Sequence, residues 1–341
     1  FGEAYLAGDW TAEDLPAVLT VFCNRMATLI PPPLQRLRDI AVHRHPRTER
    51  GTEANARRNI SRHYDLSNDL FTLFLDATMT YSAALFGPAD GSVQIAATAQ
   101  FEDLADAQRH KIDRLLDAVG VGPGSRVLEI GTGWGELALR AGARGATVRS
   151  ITLSEEQRTL ALARIEAAAL SDRVSVDLCD YRGVTGSYDA VVSVEMIEAV
   201  GFEFWPAYFA TLDRVLVPGG RVGLQAITMP HDRMLASRDT YTWIHKYVFP
   251  GGLIPSVDSV EQCVAEHTSL RVVSRHGFGL HYADTLRLWR EQFNAHAVVV
   301  DALGFDETFR RMWNFYLSYS EAGFRSRYLD VYQFVFAKGN A

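Results

Sequence analysis

The sequence has 341 residues, of which 48% are hydrophobic and 22% are charged, and its formal net charge is −7 at pH 7. This length and composition predict a globular, enzyme-sized protein with one large core and an appendage, and the negative charge argues against binding along a nucleic acid duplex. No apolar run approaches the about 18 residues that cross a bilayer, and the first ten residues lack a signal-peptide pattern, so we expect a soluble, cytoplasmic protein.

The N-terminal part of the chain combines a helix with a basic stretch. Apolar residues recur at helical spacing over residues 11 to 30, which predicts a helix that packs on the main body or on a second subunit of a homo-oligomer. Pro31 to Pro33 end this helix, and between Leu34 and His63 eight arginines stand against three acidic residues. This excess predicts either contact with an anionic membrane surface or a solvated linker, and the sequence leaves both open. We place the end of this N-terminal segment at residue 58.

Strand and helix patterns alternate regularly after an amphipathic helix predicted at 101 to 119. The predicted strands lie at 126 to 130, 147 to 153, 174 to 178, 189 to 194 and 221 to 227, with helices at 135 to 143, 155 to 169 and 203 to 215. This alternation predicts a doubly wound α/β fold with a parallel sheet. Two further strand patterns, at 270 to 276 and 330 to 337, complete a seven-stranded, Rossmann-like sheet in a domain that we assign to residues 59–341.

The most informative motif is RVLEIGTGWG, from Arg126 to Gly135, in which an apolar strand enters a glycine-rich turn. Gly131 and Gly133 let the backbone turn sharply and approach a ligand, and Glu129 places a carboxylate at the strand end. The motif therefore predicts a cradle for a nucleotide-like cofactor. The alternative is a tight connection without a ligand.

The spacing of the glycines distinguishes between cofactors. It is G-x-G-x-G, whereas dinucleotide sites carry G-x-G-x-x-G and an acidic residue about 20 positions later. Thr152, Leu153 and Ser154 occupy that later strand end, so no acid is present for a nicotinamide ribose. A carboxylate at the first strand end, without a pyrophosphate site, fits the sulfonium, amine and ribose of S-adenosylmethionine (SAM).

A long insertion follows the fifth predicted strand, at about 229–265. It contains YTWIHKYVFPGGLIPS, which holds too many large apolar groups for a plain surface loop. These side chains predict either a groove for a long apolar substrate or a satellite core under the insertion. Cys23, Cys179 and Cys263 are far apart and show no metal-ligand spacing, so we expect neither a disulfide nor a metal site.

Seven segments, in chain order, carry a resemblance to a known family: RRNISRHYDLSNDLF, MTYSAALF, VLEIGTGWG, ITLSEEQ, SVEMIEAVG, KYVFPGG and FGLHYADTLRLW. From about residue 55 to its end the chain resembles the cyclopropane-fatty-acyl-phospholipid synthase and mycolic acid methyltransferase family. This resemblance implies a one-carbon transfer from SAM to a cis double bond in a lipid acyl chain. It also favours the groove over the satellite core, with the insertion as a helical lid.

The resemblance implies two sets of binding residues. One set would hold the cofactor at the carboxyl ends of the first three strands and under a cap formed by the MTYSAALF segment: Tyr81, Ser82, Glu129, Gly131, Gly133, Thr152, Leu153, Gln157, Asp180 and Tyr181. In that set the last two would hold the adenine. The other set would contact the acyl chain: His63, Tyr64, Trp243, Tyr247 and Phe249.

The implied chemistry needs a base, because attack of an alkene on a methyl group creates a carbocation from which a proton must leave. Relatives hold a bicarbonate ion as this base, using a cysteine, a glutamate, a histidine and a tyrosine. The glutamate and the tyrosine correspond to Glu198 and Tyr282, whereas Ala83 and Gln225 stand in place of the cysteine and the histidine. Ala199 likewise replaces the histidine that usually follows the glutamate.

These departures leave two interpretations of the base open. Gln225 offers a donor and an acceptor and the backbone of residue 83 offers a donor, so a modified bicarbonate site is one interpretation. In the other, Glu198 acts directly or through water, with its pKa raised by burial in an apolar channel. The predicted catalytic residues are Glu198, Tyr282 and Gln225.

The sequence of the second half, LQAITMPHDRM followed by YTWIHKYVFPGG, resembles an actinobacterial branch of this family that is associated with methyl-branched fatty acids. The resemblance implies that oleoyl phospholipid, met at the inner membrane surface, receives a 10-methylene branch, which a separate flavin-dependent reductase converts to a methyl branch. Cyclopropane formation is the alternative product. A small-molecule methyltransferase and a non-catalytic SAM-binding partner stay open, whereas the charge disfavours a nucleic-acid methyltransferase.

Overall fold

The computed structural model describes residues 1–29, 46, 49, 52, 55, 56, 67–87 and 99–340. The eight arginines between Leu34 and His63, together with His63 and Tyr64 themselves, lie outside these residues. The predicted boundary after residue 58 falls in the same part of the chain. The membrane contact, the two substrate-binding side chains and the boundary therefore stay predictions.

A seven-stranded sheet lies at the centre of the described structure. Its strands are β1 (Arg126–Ile130), β2 (Thr147–Thr152), β3 (Val174–Leu178), β4 (Tyr188–Val194), β5 (Leu216–Thr228), β6 (Leu270–Gly277) and β7 (Asp330–Lys338), in the order β3-β2-β1-β4-β5-β7-β6. β1 to β5 run parallel, whereas β7 runs antiparallel to both of its neighbours. The seven strands are confirmed, but the sheet is mixed rather than wholly parallel because β7 lies between β5 and β6.

β5 is longer than the sequence pattern predicts. It begins at Leu216 rather than at residue 221, because Leu216 pairs with Tyr188 before an irregularity in the ladder, and regular pairing resumes between Ala190 and Arg221. The turn residues Pro218 and Gly219 lie inside this irregular part. Because proline and glycine are typical of turns, the sequence pattern predicts a turn here and not the first part of the strand.

The side chains of β1 alternate between two core layers, as a sheet covered on both faces requires. Leu128 packs in one buried cluster and Val127 in another. β2 and β3 extend the sheet on one side of β1, and β4 and β5 extend it on the other. The strand order therefore reverses between β1 and β4. At such a switch point a crevice lies outside the carboxyl ends of the strands, where ligands bind in open α/β sheets.

Helices surround the sheet and extend beyond it. They are α1 (Gly2–Ala7), α2 (Leu15–Leu29), α3 (Asn68–Thr72), α4 (Leu104–Ala118), α5 (Glu136–Ala143), α6 (Glu155–Ala167), α7 (Trp205–Val215), α8 (His231–Ser237), α9 (Trp243–Tyr247), α10 (Val257–His267), α11 (Gly279–Ala295), α12 (Ala297–Ala302) and α13 (Glu307–Arg325). Short 3₁₀ turns at Phe101–Asp103, Tyr181–Gly183, Ile197–Ala199 and Phe202–Phe204 complete the set. Within the described ranges, no helix has the length and apolarity of a membrane span.

An aromatic cluster connects α3, α11 and α13 to the glycine-rich turn. The ring centroid of Phe71 lies 4.9 Å from that of Trp134, and that of Tyr81 lies 5.1 Å from that of Trp289. The hydroxyl of Tyr81 also lies 2.8 Å from the hydroxyl of Tyr316. These contacts place residues 67–87 over the crevice and fix the position of Tyr81.

The N-terminal helices pack on the main body, which is the first of the two predicted arrangements. The ring centroid of Tyr5 lies 5.3 Å from that of Phe315 in α13, and Arg311 Nε donates a 2.7 Å hydrogen bond to the carbonyl of Tyr5. The predicted helix over residues 11 to 30 begins at Leu15. Packing on a second subunit stays a prediction.

Candidate active site

The glycine-rich turn folds as its sequence predicts. Gly131 and Gly133 have φ values of +97° and +52°, in the left-handed region that favours glycine. A Cβ atom at Gly131 would lie 3.3 Å from Met196 Cγ, whereas one at Gly133 would meet no heavy atom within 4 Å. The turn thus leaves a cleft into which bare backbone faces.

Glu129 supplies the buried carboxylate of this cleft. Ser150 Oγ donates a 2.5 Å hydrogen bond to Glu129 Oε2 and lies 2.6 Å from Thr132 Oγ1. Burial raises the pKa of Glu129 to about 8, against the opposing effect of the bond from Ser150. A buried carboxylate with one internal donor can accept further hydrogen bonds from the hydroxyl or ammonium groups of a ligand.

The end of β2 provides a second polar wall. Thr152 Oγ1 donates to Gln157 Oε1 over 2.8 Å, and Ser154 caps α6 by accepting from the backbone N–H of Gln157. Thr152, Leu153 and Gln157 all line the cleft. The amide N–H₂ of Gln157 remains available as a donor near the strand end.

Of the ten predicted cofactor residues, Asp180 is the one that does not line the cleft. Its carboxylate accepts from the backbone N–H of Arg182 at 2.9 Å and from the guanidinium Nε at 2.8 Å, so it caps the 3₁₀ turn that follows β3. The neighbouring Tyr181 does line the cleft. Asp180 thus caps this turn in the structure, and its contact with the adenine stays a prediction.

Tyr81, Ser82 and Lys111 form the wall that faces the strand ends. Lys111 Nζ is fully buried and donates a 2.6 Å hydrogen bond to Ser82 Oγ. Burial lowers the pKa of Lys111 to about 8, while the negative charges of Glu195 and Asp76 oppose this decrease. A buried ammonium group of this kind favours negative charge in its neighbourhood.

Glu195, directly after β4, is the centre of a second carboxylate site. The backbone N–H of Ala83 and the side-chain amide of Gln225 donate to Glu195 Oε1 over 2.9 and 2.8 Å. The hydroxyl of Tyr282 donates to Glu195 Oε2 over 2.7 Å. Glu195 also lines the same cleft as Glu129. One carboxylate thus accepts hydrogen bonds from three distant parts of the chain.

The electrostatics of Glu195 combine burial with compensation. Burial raises its pKa, whereas the positive charge of Lys111 and the three hydrogen bonds oppose that increase. Burial and the negative charge of Glu195 raise the pKa of Tyr282 well above its ordinary value, so this phenol keeps its proton and stays a donor.

A hydrogen-bond chain orients the amide of Gln225. Gln333 Nε2 donates to Gln225 Oε1 over 3.1 Å, and Arg114 Nη1 donates to Gln333 Oε1 over 2.6 Å. Because the oxygen of Gln225 is occupied by this contact, its N–H₂ group points to Glu195. β5 and β7 bring Gln225 and Gln333 together as direct partners in their register.

The predicted trio of Glu198, Gln225 and Tyr282 is not assembled as expected. Glu198 Oε1 accepts a 2.6 Å hydrogen bond from the backbone N–H of Ile227, and Oε2 is buried without a hydrogen-bond partner among the described residues. Burial and the nearby charge of Glu195 raise the pKa of Glu198 to about 8. Gln225 and Tyr282 contact Glu195 instead, three residues earlier in the chain.

The predicted substrate-binding aromatics divide between two places. Phe249 lies with its ring centroid 5.7 Å from that of Tyr316, whose hydroxyl contacts the cleft residue Tyr81. Trp243 lies 4.8 Å from Phe315, and the Tyr247 hydroxyl contacts Glu3 in α1. The insertion therefore forms in part the satellite core that the sequence left open as an alternative.

Three functional candidates escaped the sequence: Glu195, Lys111 and Gln333. A usable signal existed for Glu195, since SVEMIEAVG places its first glutamate at the carboxyl end of a predicted strand next to β1. No pattern pointed to Lys111 or Gln333. In the described part of the chain, His, Cys, Asp and Glu form no cluster of three or more that could hold a metal ion.

Comparison with known proteins identifies the family. The family model of mycolic acid cyclopropane synthetase matches residues 52–334. The chain belongs to this family. It is 56% identical over 333 residues to tuberculostearic acid methyltransferase UfaA1 of Mycobacterium tuberculosis, covering 98% of this chain and 77% of that protein. As a member, the chain is a methyltransferase.

Two further relatives support the assignment. The cyclopropane-fatty-acyl-phospholipid synthase of Escherichia coli K12 is 36% identical over 278 residues, which cover 81% of this chain and 67% of that protein. The crystal structure of mycolic acid cyclopropane synthase CmaA1 in complex with SAH and CTAB is 30% identical, with a TM-score of 0.73. It covers 86% of this chain and 99% of its own. The cleft residues described above fit a sulfonium cofactor of the SAM type.

Proposed function

We propose that the chain transfers one carbon from SAM to the cis double bond of a phospholipid-bound unsaturated acyl chain, with oleoyl as the substrate, and leaves a 10-methylene branch. The observation that carries this proposal is the buried carboxylate of Glu195, held by three donors in the wall of the cofactor cleft. Methyl transfer to nitrogen or oxygen uses a lone pair and releases a proton from a polar N–H or O–H group. Transfer to an alkene instead creates a carbocation whose proton must be taken from carbon, which requires a base buried beside the cofactor cleft.

Five groups of this chain would hold the cofactor. Glu129 would accept from its polar hydrogens, the bare backbone at Gly131 and Gly133 would lie against it, and Thr152 and Gln157 would contact its ribose side. SAM, when bound, supplies an electrophilic methyl group, and its sulfur keeps the electron pair of the broken bond. The remaining chemistry takes place on the acyl chain and on protein side chains.

The electron balance on the acyl chain explains both candidate products. The two π electrons of the double bond form the new C–C bond, which leaves a cation on the neighbouring carbon. A hydride shift moves this cation to the branched carbon, and loss of a proton from the new methyl group then gives the methylene. Loss of a methyl proton with ring closure, without the shift, gives a cyclopropane. Both routes release one proton to a base.

Aromatic side chains beside the base would stabilise the cation. The ring of Tyr282 lies 4.5 Å from that of Phe324 and 6.2 Å from that of Trp289, measured between centroids, and Trp289 also packs on Tyr81. Ring faces attract a cation, by about 2 kcal/mol when it is desolvated. This aromatic wall supports an acyl substrate over a small polar one.

The relatives favour the methylene over the ring. Identity is 56% with the tuberculostearic acid methyltransferase and 36% with the cyclopropane-forming enzyme of E. coli. The experiment is mass spectrometry and proton NMR of the lipid formed from oleoyl phosphatidylglycerol vesicles and SAM. A gain of one CH₂ with exomethylene protons supports the proposal, and upfield ring protons make the chain a cyclopropane synthase. If the mass of the lipid does not change, oleoyl phosphatidylglycerol is excluded as the substrate, and the result favours a small-molecule methyltransferase or a non-catalytic SAM-binding protein.

Three finer parts of the function are proposals with their own tests. Contact with the membrane through the basic stretch predicts co-sedimentation with anionic vesicles that salt reverses. A separate flavin-dependent reductase predicts that the purified chain stops at the methylene product. A homo-oligomer predicts a mass in solution above 37.9 kDa. A bound bicarbonate ion is the alternative to a base supplied by the protein itself, and it predicts that turnover rises when bicarbonate is added to carbonate-free enzyme.

A further inference from the structure

Three hydrogen-bond donors and one positive charge surround one point at the end of the cleft. A backbone N–H, an amide N–H₂ and a phenol O–H form hydrogen bonds of 2.7 to 2.9 Å, and the ammonium group of Lys111 adds a positive charge. Such a convergence of donors is typical of an anion-binding site. In this chain the anion is the protein's own side chain, Glu195.

The backbone is arranged to deliver this side chain. Glu195 has φ +48°, a left-handed conformation that non-glycine residues adopt uncommonly and that often occurs at functional sites. Its N–H donates a 2.8 Å hydrogen bond to the carbonyl of Gln225, so the same residue of β5 holds both the backbone and the carboxylate. The turn after β4 therefore carries strain in order to place a carboxylate among the donors.

We propose that Glu195 is the general base of the one-carbon transfer, so that the reaction needs no exogenous anion. This proposal rests on the proposed function, because it names the group that takes the proton from the acyl chain. It assigns the role to Glu195 instead of Glu198. It also assigns positioning roles to Gln225 and Lys111, which hold the carboxylate in place and in its charged form.

A single carboxylate oxygen of Glu195 can accept the proton. Oε1 accepts two hydrogen bonds and Oε2 accepts one, so Oε2 retains an acceptor position. A lone pair of Oε2 takes a proton from the new methyl group, and the electrons of that C–H bond form the carbon–carbon double bond of the branch. Glu195 becomes a neutral carboxylic acid, and its proton passes to solvent after the product leaves.

Glu198 is the rival base and differs in each of these respects. It does not line the cleft, and its Oε1 is bound to the backbone N–H of Ile227. The negative charge of Glu195 raises the pKa of Glu198, whereas the positive charge of Lys111 opposes the increase in the pKa of Glu195. The geometry therefore favours the ionised form at Glu195, whereas Glu198 supports the turn after β4 through its hydrogen bond to Ile227.

The first test compares Glu195→Gln and Glu198→Gln with the wild-type chain on oleoyl phosphatidylglycerol vesicles. Glu195→Gln is expected to lower kcat by about 10²- to 10⁴-fold, while the Kd for SAM, measured by calorimetry, changes by less than about threefold. Glu198→Gln is expected to lower kcat far less. Glu166→Gln, an exposed carboxylate on α6, is the matched control and keeps full turnover. Turnover of Glu195→Gln within threefold of wild type overturns the proposal.

The second test uses Glu195→Ala, which removes the carboxylate and leaves its donors. Added formate or bicarbonate is expected to restore part of the turnover of this variant and to leave the wild-type rate unchanged. With no substrate or SAM present, ¹³C NMR of labelled bicarbonate is expected to show line broadening by Glu195→Ala and none by wild type. Rescue of the wild-type chain by bicarbonate, or equal broadening by both proteins, overturns the proposal.

The two tests separate failure of the base from failure of the function. If the wild-type chain modifies no unsaturated lipid, the proposed function fails, and the bicarbonate spectrum still shows whether Glu195 occupies an anion site. If the wild-type chain modifies lipid and Glu195→Gln does so equally well, the function stands and the base is elsewhere. Circular dichroism of each variant establishes that it is folded.

Discussion

Two buried carboxylates lie at neighbouring strand ends of the same cleft, and they differ in how their charge is supported. Glu129 in β1 receives one hydrogen bond from Ser150, and burial raises its pKa to about 8. Glu195 after β4 receives three hydrogen bonds and faces Lys111. Glu129 retains acceptor positions for the hydrogen-bond donors of a ligand. Glu195 receives its donors from the protein, so its carboxylate is held in position to accept a proton.

After the loss of turnover expected for Glu195→Gln, the largest effect expected from this comparison is on cofactor affinity. Glu129→Gln replaces the carboxylate that a bound SAM would contact by a neutral amide with a single acceptor oxygen, and hydrogen bonds to charged groups contribute about 1.5 to 3 kcal/mol. We expect the Kd for SAM to increase by about 10- to 100-fold in isothermal titration calorimetry. Glu166→Gln on the outer surface of α6 should bind SAM as wild type does, and equal affinity of both variants would contradict the role of Glu129.

The next effect concerns the donors of Glu195. Tyr282→Phe removes the hydrogen bond to Oε2, and losing a donor to an ionised carboxylate raises the pKa of that carboxyl group. A base must be ionised to act, so the acid limb of the kcat profile should move to higher pH by about one pH unit, with kcat lowered about tenfold.

Tyr316→Phe is the matched control for that profile. Its hydroxyl contacts Tyr81 in the same aromatic layer, and the bonds to Glu195 come from other residues. The acid limb should keep its position in this variant. A limb that moves equally in both variants would show that loss of a nearby hydroxyl, rather than loss of a donor to Glu195, changes the profile.

A smaller effect distinguishes Glu129 through pH. Below a pKa of about 8 its carboxyl group is mostly protonated, and a ligand that requires the ionised form must bear the cost of deprotonation. SAM affinity should therefore fall by about fivefold between pH 8 and pH 7, and it should depend on pH much less in Glu129→Gln. Calorimetric titrations with SAM at the two pH values check this. If Glu129 does not face the cofactor, the SAM affinity of the wild-type chain should be the same at both pH values.

The contrast between the two carboxylates also explains how much the sequence could predict. The bounds of β1 and β3 are those expected, and nine of the ten predicted cofactor residues line the cleft, because a strand, a glycine turn and a helix are contiguous in sequence. The exception, Asp180, binds to its own neighbour Arg182. Whether such a side chain faces outwards or caps a turn depends on local geometry that a pattern does not contain.

The base site could not be predicted in the same way, because it joins residues that are far apart along the chain. Ala83, Glu195, Gln225 and Tyr282 come from a loop, a strand end, β5 and α11. Two glutamates three positions apart compete in SVEMIEAVG, and the left-handed backbone at Glu195 decides which of them reaches the donors. Resemblance to a family pointed to the second glutamate, and the hydrogen bonds point to the first.

The smallest expected effects test whether the insertion belongs to the acyl groove or to the satellite core. Phe249 packs on Tyr316 at the cleft, whereas Trp243 packs on Phe315 and against Gly2 of α1. Phe249→Ala should raise the KM for oleoyl lipid by about three- to fivefold, since losing part of an apolar contact costs about 1 kcal/mol. Trp243→Ala should act mainly on stability, by lowering the temperature of thermal unfolding, because it loosens α1 and α9 from α13. If Trp243→Ala raised KM more than Phe249→Ala, the groove would run under the N-terminal helices, and the aromatic wall beside Glu195 would be only its inner end.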